Sequence, residues 1–321
     1  MLNHVDLKEI ARRALVECLA LQDTETALVV TDGLVPEVAG AFWQAARELA
    51  REAIFVEFPP RSRHGEEPPA AVAAAMAAAD VLLLPTSKSL SHTRARRKAC
   101  EAGARVASMP MITAEMMTRA LAVDYEAMRS LTKKYAEVLT AGQVARVTSP
   151  AGTDITMKLT GRIGVMDAGE LRQRGASGNL PAGEAYIAPL EGSAEGILVL
   201  DGSLAGWGRL EEPVIIEVKK GLAVRAEGGE AARWLWESLT KCGEAGTALA
   251  ELGIGTNEKA IVSGNILEDE KAIGTVHIAF GDNRGFGGTV EAGIHLDGLV
   301  LNPTVEVDGE VVIKEGRLLL R

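Results

Sequence analysis

Apolar residues along the first 140 positions alternate between two rhythms. Leu7–Leu21 carries them at helical spacing with Asp6 placed as N-cap, whereas Thr26–Thr31, Ala53–Phe58, Val81–Pro85 and Ala104–Met109 are short apolar runs of strand length. Helix-like segments at Ala39–Arg51, the alanine-rich Ala70–Ala79 and Ser91–Ala102 fall between these runs, and a further helical stretch spans about Thr113 to Leu139. Strands interleaved with helices predict a parallel sheet covered on both faces. From about Gly142 the rhythm changes. Val144–Thr148, Asp154–Leu159, Gly196–Leu200, Pro213–Val218, Leu222–Ala226, His277–Phe280, Ile294–Leu301, Thr304–Val307 and Val311–Ile313 read as strands, interrupted by one helix at about Gly229–Cys242. The expected architecture is an α/β, flavodoxin- or Rossmann-like domain over residues 1–141, followed by a β-rich α+β domain over 142–321 that carries a metal site.

The candidate chemistry concentrates between Gly274 and Gly298. Alternation along Thr275–Phe280 puts His277 on one face of a strand and Val276, Ile278 and Phe280 on the other. In the following strand Ile294, Leu296 and Leu299 leave His295 and Asp297 together, with glycines at 281, 285, 287 and 288 allowing the chain to turn between the two. Two histidines and a carboxylate suit zinc, cobalt, manganese or iron(II) better than calcium or magnesium. The chain has five histidines, so two in one hairpin is notable, yet hydrogen-bonded strand histidines explain these residues equally well.

Further acids sit at conspicuous places. Glu184 lies where a polar turn gives way to an apolar strand, Glu251 interrupts an apolar, glycine-rich run, and Glu268, Asp269 and Glu270 precede the first histidine. For each the plain alternative is a solvated acid, most strongly for the clustered trio. Ser91, His92, Thr93 and Arg94 follow a strand of the N-terminal half and can meet an anion at a helix N-terminus; a capped helix with a basic outer face is the simpler account. No GxGxxG follows the first strand, and Phe280–Gly288 lacks the Lys-Ser/Thr of a P-loop, so no nucleotide cofactor is expected. Trp234 and Trp236 stand two apart on a helix and cannot share a face, which points to packing.

Composition narrows the field. A formal charge of -10 and a pI near 5.2 leave no basic footprint for nucleic acid. Cys18, Cys100 and Cys242 have neither disulfide-framework nor zinc-finger spacing. The first residues lack a signal-peptide core, and no apolar run approaches the roughly 18 residues of a membrane span. A cytoplasmic enzyme acting on a small molecule, without nucleic-acid or membrane partners, is the expectation.

Asn179–Glu184, Ala250–Asn257, Asp269–Gly281 and Ile294–Asp297 resemble, in the same order, blocks of the aminopeptidase T and aminopeptidase S family of metallopeptidases. The resemblance covers most of residues 140–321. It implies a pair of divalent metals, zinc, cobalt or manganese, held by Glu184, Glu251, His277, His295 and Asp297, with Glu270 as a further candidate because the family's matching acid falls where this chain has Ala272. It also implies release of N-terminal residues from small peptides by a metal-activated water, Glu184 as base or ligand, and a homodimer or larger assembly. One departure bears on the chemistry. The family's tyrosine seven residues after the first histidine is Arg284 here, a group able to donate to an oxyanion but favouring a more anionic substrate. A related group, similar to 2,5-dihydroxypyridine dioxygenase, uses a single iron(II) held by two histidines and a carboxylate, and His277, His295 and Asp297 can supply such a set. A non-enzymatic binding module on the same fold is the third reading. The count of carboxylates at the metal separates the first two, since Glu184 and Glu251 together imply the two-metal hydrolase.

Overall fold

The computed structural model describes residues 6–320. They form two compact units, one running to Tyr125 and taking in Ala168–Ala182, the other made of Glu126–Asp167 and everything from Gly183. This division differs from a single crossover near residue 142 for two reasons. The helix Tyr125–Ala141 gives Tyr135 and Leu139 to the core of the second unit, and Ser177–Asn179 returns as an added strand beside Arg105–Ser108 in the first.

The first unit is the expected α/β structure. Its parallel sheet runs in the order Glu52–Glu57, Thr26–Thr31, Val81–Leu84, Arg105–Ser108, Ser177–Asn179. The three central strands are buried along their whole length, as strands covered on both faces must be, which is why their sequences do not alternate. The helical stretch expected from Thr113 to Leu139 is two helices, Ala114–Ala120 and Tyr125–Ala141. Leu121 and Val123 are buried in the break, so the apolar spacing continues through it and conceals it. The N-terminus of the helix Arg94–Glu101 already holds an anion of the protein's own. Thr93 caps it, and the Glu67 carboxylate accepts from the backbone N–H groups of Arg94 at 2.6 Å and Ala95 at 3.1 Å, while Ser91 Oγ pairs with Ser108 Oγ at 2.7 Å.

The second unit is the expected β-rich α+β structure, built from two antiparallel sheets. One has eight strands among the described residues, running from Leu222–Glu227 at one edge to Arg317–Leu318 at the other. The other has seven, in the order Gly208–Arg209, Ser203–Leu204, His295–Val300, Val276–Gly281, Leu249–Gly255, Glu184–Ile187, Val165–Asp167. A single apolar core lies between them, joining Ile155, Met157 and Leu198 of the first sheet to Ile187, Leu252, Ile254, Ile278 and Phe280 of the second. The helix Gly229–Thr240 adds Leu235 and Leu239, and Trp234 and Trp236 pack against the same core. Among the described residues no helix is long and apolar enough to cross a membrane.

Tyr135 ties the chain's last turn to this core. Its buried hydroxyl donates to the Val312 carbonyl at 2.9 Å and accepts from the N–H groups of Leu319 at 3.0 Å and Leu320 at 3.3 Å. Tyr135→Phe removes the partner of the Leu320 N–H, while the Leu319 N–H and the Val312 carbonyl still pair with each other at 3.1 Å, and it is expected to lower stability by about 1 kcal/mol, read as a drop in the urea midpoint at unchanged slope.

Candidate metal centre

The seven-stranded sheet has one face in the core, so strand parity decides what the other face carries. Across the sheet His277 pairs with Gly253 on one side and Leu299 on the other, and Ala279 lies between Glu251 and Asp297. Further along, Tyr186 pairs with Gly253 and Val165, and Glu184 with Gly255 and Asp167. Directly paired residues point the same way, so Asp167, Glu184, Tyr186, Glu251, His277, His295 and Asp297 share one face. Leu299 belongs to this face as well; its number has the parity of His295, not of Leu296, which packs on the core. The expected grouping of Leu299 with Ile294 and Leu296 is thereby corrected.

The glycines between the ligand candidates are required by space. A Cβ on Gly253 would stand 1.9 Å from His277 Nε2, so the imidazole lies across the bare backbone of the neighbouring strand. Gly255 leaves room in the same way, for the Ala272 carbonyl, 2.0 Å from where its Cβ would be.

Five of the sequence-derived candidates converge. Glu251 divides its two oxygens between the histidines, Oε1 lying 3.1 Å from His277 Nε2 and Oε2 lying 3.5 Å from His295 Nε2. Glu184 Oε2 is 3.4 Å from His277 Nε2, and Asp297 Oδ1 is 3.4 Å from His295 Nε2. The donor atoms thus fall into two sets, Glu184–Glu251–His277 and Glu251–His295–Asp297, each within 4.8 Å of one another. Glu251 belongs to both. The first set is buried and the second part-exposed, with 29% of the His295 side chain open.

The chemistry of these donors fits divalent ions. The His295 ring faces the backbone carbonyl of Asp282 through Nδ1 at 2.7 Å, where a ring N–H donates and leaves the Nε2 lone pair toward Glu251 and Asp297. Glu184 Oε2 is buried without a hydrogen-bond partner among the described residues, an acceptor oxygen aimed into the cluster. His277 Nδ1 also lacks a partner among them.

Sequence reasoning missed two members of the site, Lys271 and Asp167. Lys271 is wholly buried, with Nζ 2.5 Å from Glu184 Oε1, 2.6 Å from Glu270 Oε1 and 3.7 Å from Asp167 Oδ2. Glu270, expected as a ligand, falls in neither three-donor set and holds this ammonium. The other acids of the trio, expected in a solvated loop, are buried too: Asp269 accepts from the N–H groups of Ser263 and Gly264, and Glu268 from that of Ile261. The available signal was a lysine set among acids directly before an apolar strand.

Arg284 lies on a 3-10 turn, Arg284–Phe286, in the connection between the two histidine strands. Its half-exposed guanidinium pairs with Glu291 at 2.6 Å and Asp282 at 3.4 Å. Phe286 turns inward, with its ring centroid 5.3 Å from that of Tyr186 and 6.0 Å from that of His295. Arg162 holds the connection through the Gly287 carbonyl and Glu191, whose carboxylate in turn accepts from the Thr289 N–H at 2.7 Å.

Without a metal, the cluster competes for protons. Burial opposes charge on His277, yet the hydrogen bond it donates to Glu251 and the charges of Glu184, Glu251 and Asp297 push it up to about 9. Burial raises Glu184 to about 8 against the pull of Lys271. Burial also opposes charge on Asp297, but His295 and His277 hold it down at about 2. Lys271 is disfavoured by burial and nevertheless stays charged, raised by Glu184, Glu270 and Asp167.

Two outcomes follow from these positions. A raised histidine stabilises the fold below its ordinary value of 6.5 and loses that contribution as pH climbs through about 9. A raised glutamate costs stability from its ordinary 4.5 up to about 8, so the metal-free protein loses stability through both groups as pH rises from 6.5 to about 8 and through His277 alone from there to about 9. Zinc affinity must move the opposite way, climbing over the same interval as His277 and Glu184 lose their protons, which calorimetric titration at stepped pH will register. Gly253→Ala displaces the His277 ring and is expected to weaken zinc binding by about 10- to 100-fold, the usual size of a disturbed ligand orientation, in the same titration.

Known proteins set this arrangement in context. Two solved structures share the fold: a 2,5-dihydroxypyridine dioxygenase from Pseudomonas putida KT2440, at 21% identity and a TM-score of 0.81 over 98% of this chain and 97% of that one, and wild-type AmpT from Thermus thermophilus, at 19% identity and a TM-score of 0.74 over 98% and 99%. Among curated proteins no sequence matches. The expected kinship with aminopeptidase T therefore stands at the level of the fold. A family model described as "NicX: 2,5-dihydroxypyridine 5,6-dioxygenase" matches residues 6–320, and the chain belongs to that family.

Proposed function

We propose that this protein is a metal-dependent hydrolase of the aminopeptidase kind, acting on small peptides at a centre for two divalent ions. The observation that carries the reading is Glu251, whose two oxygens face two histidines in two separate donor sets. A single ion held by two histidines and a carboxylate needs both imidazoles in one set, whereas here His277 and His295 belong to different ones. Charge supports the same count. The carboxylates of Asp167, Glu184, Glu251, Glu270 and Asp297 outnumber the one ammonium, Lys271, by four, the charge of two divalent cations.

Glu184, Glu251 and His277 would hold one ion, and Glu251, His295 and Asp297 the other. Bound divalent ions supply Lewis acidity and lower the pKa of water towards neutrality. The remaining work falls to the chain. Because Lys271 occupies Glu184 Oε1, Oε2 is the oxygen turned to the cluster, where it serves either as ligand or, if displaced from the ion, as acceptor of the water's proton. Phe286, against Tyr186 and His295, adds apolar surface beside the second donor set. Arg284 is engaged with Asp282 and Glu291, so oxyanion stabilisation is assigned to it only after those pairs open.

A second reading, an oxygenase acting on a hydroxylated aromatic ring with one iron(II), is favoured by the family match over residues 6–320. Elemental analysis and two assays separate them. The hydrolase reading expects two equivalents of zinc, cobalt or manganese and cobalt-dependent cleavage of aminoacyl-anilides. It also expects Glu251→Ala to lower kcat/KM on the order of 10²-fold or more and to reduce the metal content, since the shared ligand is lost. One equivalent of iron with oxygen uptake on 2,5-dihydroxypyridine, and no anilide cleavage, would establish the oxygenase instead.

A further inference from the structure

Lys271 is wholly buried, one residue beyond the acid expected to bind metal, and a bearing on the choice of metal is assigned to it by neither reading. Its ammonium contacts one oxygen of Glu184, Oε1 at 2.5 Å, and one oxygen of Glu270, Oε1 at 2.6 Å. The other oxygen of Glu184, Oε2, is buried with no hydrogen bond among the described residues and lies 3.4 Å from His277 Nε2. The two oxygens of this carboxylate therefore have different environments, one against a fixed cation and one open to the donor cluster.

We infer that Lys271 is a positioning residue that makes Glu184 a one-oxygen ligand and thereby sets which metals the centre accepts; the inference rests on the metal reading given above. A carboxylate whose second oxygen accepts from a fixed ammonium is held away from two-oxygen chelation, because that oxygen's charge and orientation are already committed. Calcium takes six to eight oxygens and uses two-oxygen carboxylates freely, whereas zinc and cobalt are satisfied by four to six donors with nitrogen among them. The lysine also offsets the repulsion between the buried Glu184 and the neighbouring Glu270, which keeps the Glu184 side chain in its ligating orientation. Its own positive charge repels every divalent ion alike, so the effect of removing it is legible in the ratio of affinities for two metals rather than in either affinity alone.

The test is competitive calorimetric titration of the full chain with Zn²⁺ and Ca²⁺, for the wild type, Lys271→Met and Lys271→Arg. Wild type is expected to prefer zinc, and Lys271→Met to lower the zinc-to-calcium ratio by about tenfold or more, the scale of a lost outer partner of a ligand. Lys271→Arg, which keeps the charge, is expected to retain most of the preference. A ratio within twofold of wild type in a folded Lys271→Met protein overturns the role of Lys271 and leaves the metal reading intact. Failure of the wild type to bind either ion overturns the metal reading and this inference with it. Should Lys271→Met not fold, a crystal structure of cobalt-loaded wild type decides the matter directly: one Glu184 oxygen on the metal supports the inference, two refute it.

Discussion

Negative charge held out of water is the constraint around which the second unit is organised. Glu184, Glu251 and Asp297 are buried beside Glu270 and Asp167, and each ionised carboxylate withdrawn from solvent costs several kcal/mol unless a cation or donor meets it. The sheet makes the concentration unavoidable. With Leu252, Ile254, Val276, Ile278 and Phe280 committed to the core, every residue of opposite parity on the same strands is turned to the other face. Compensation then comes from within, from one lysine and two imidazoles driven to bind protons, in donor sets whose chemistry suits divalent ions.

The hairpin was legible in the sequence because its two strands alternate. Period-two patterning identifies His277 against Val276 and Ile278, and His295 with Asp297, and the register shows them on one face. Glu251 was harder to place. Its strand, Leu249–Gly255, is buried throughout and contains two glycines, so neither alternation nor β-branched residues mark it. Those glycines carry information of a different kind, since Gly253 is the space that His277 fills.

The least legible part was the segment before the first histidine. A run of charged residues ordinarily signals solvent, and Glu268–Lys271 departs from that because each charge has a partner, local for the three acids and distant in sequence for Lys271. Glu184 lies 87 positions from the lysine it meets. The short strand Val165–Asp167, too brief to announce itself, brings Asp167 beside Glu184 only through sheet pairing. The parallel sheet of the first unit shows the reverse. Four of its five strands are short apolar runs separated by helices, and pattern alone located those four to within a residue or two, whereas Ser177–Asn179 has no apolar run to mark it.

The connection between the histidine strands has a further consequence. It begins and ends at strands that carry candidate metal donors, yet it is anchored by Arg162 and Glu191, which lie outside both donor sets, and it sets Phe286 against the rings of Tyr186 and His295. Inheritance can therefore act on the two parts separately. Changes in the length or sequence of this loop redraw the space offered to a substrate, while the strand residues beneath it keep their parity and their ligands. A lineage built on such a sheet can diverge in what it transforms without having to reinvent the floor on which the transformation happens.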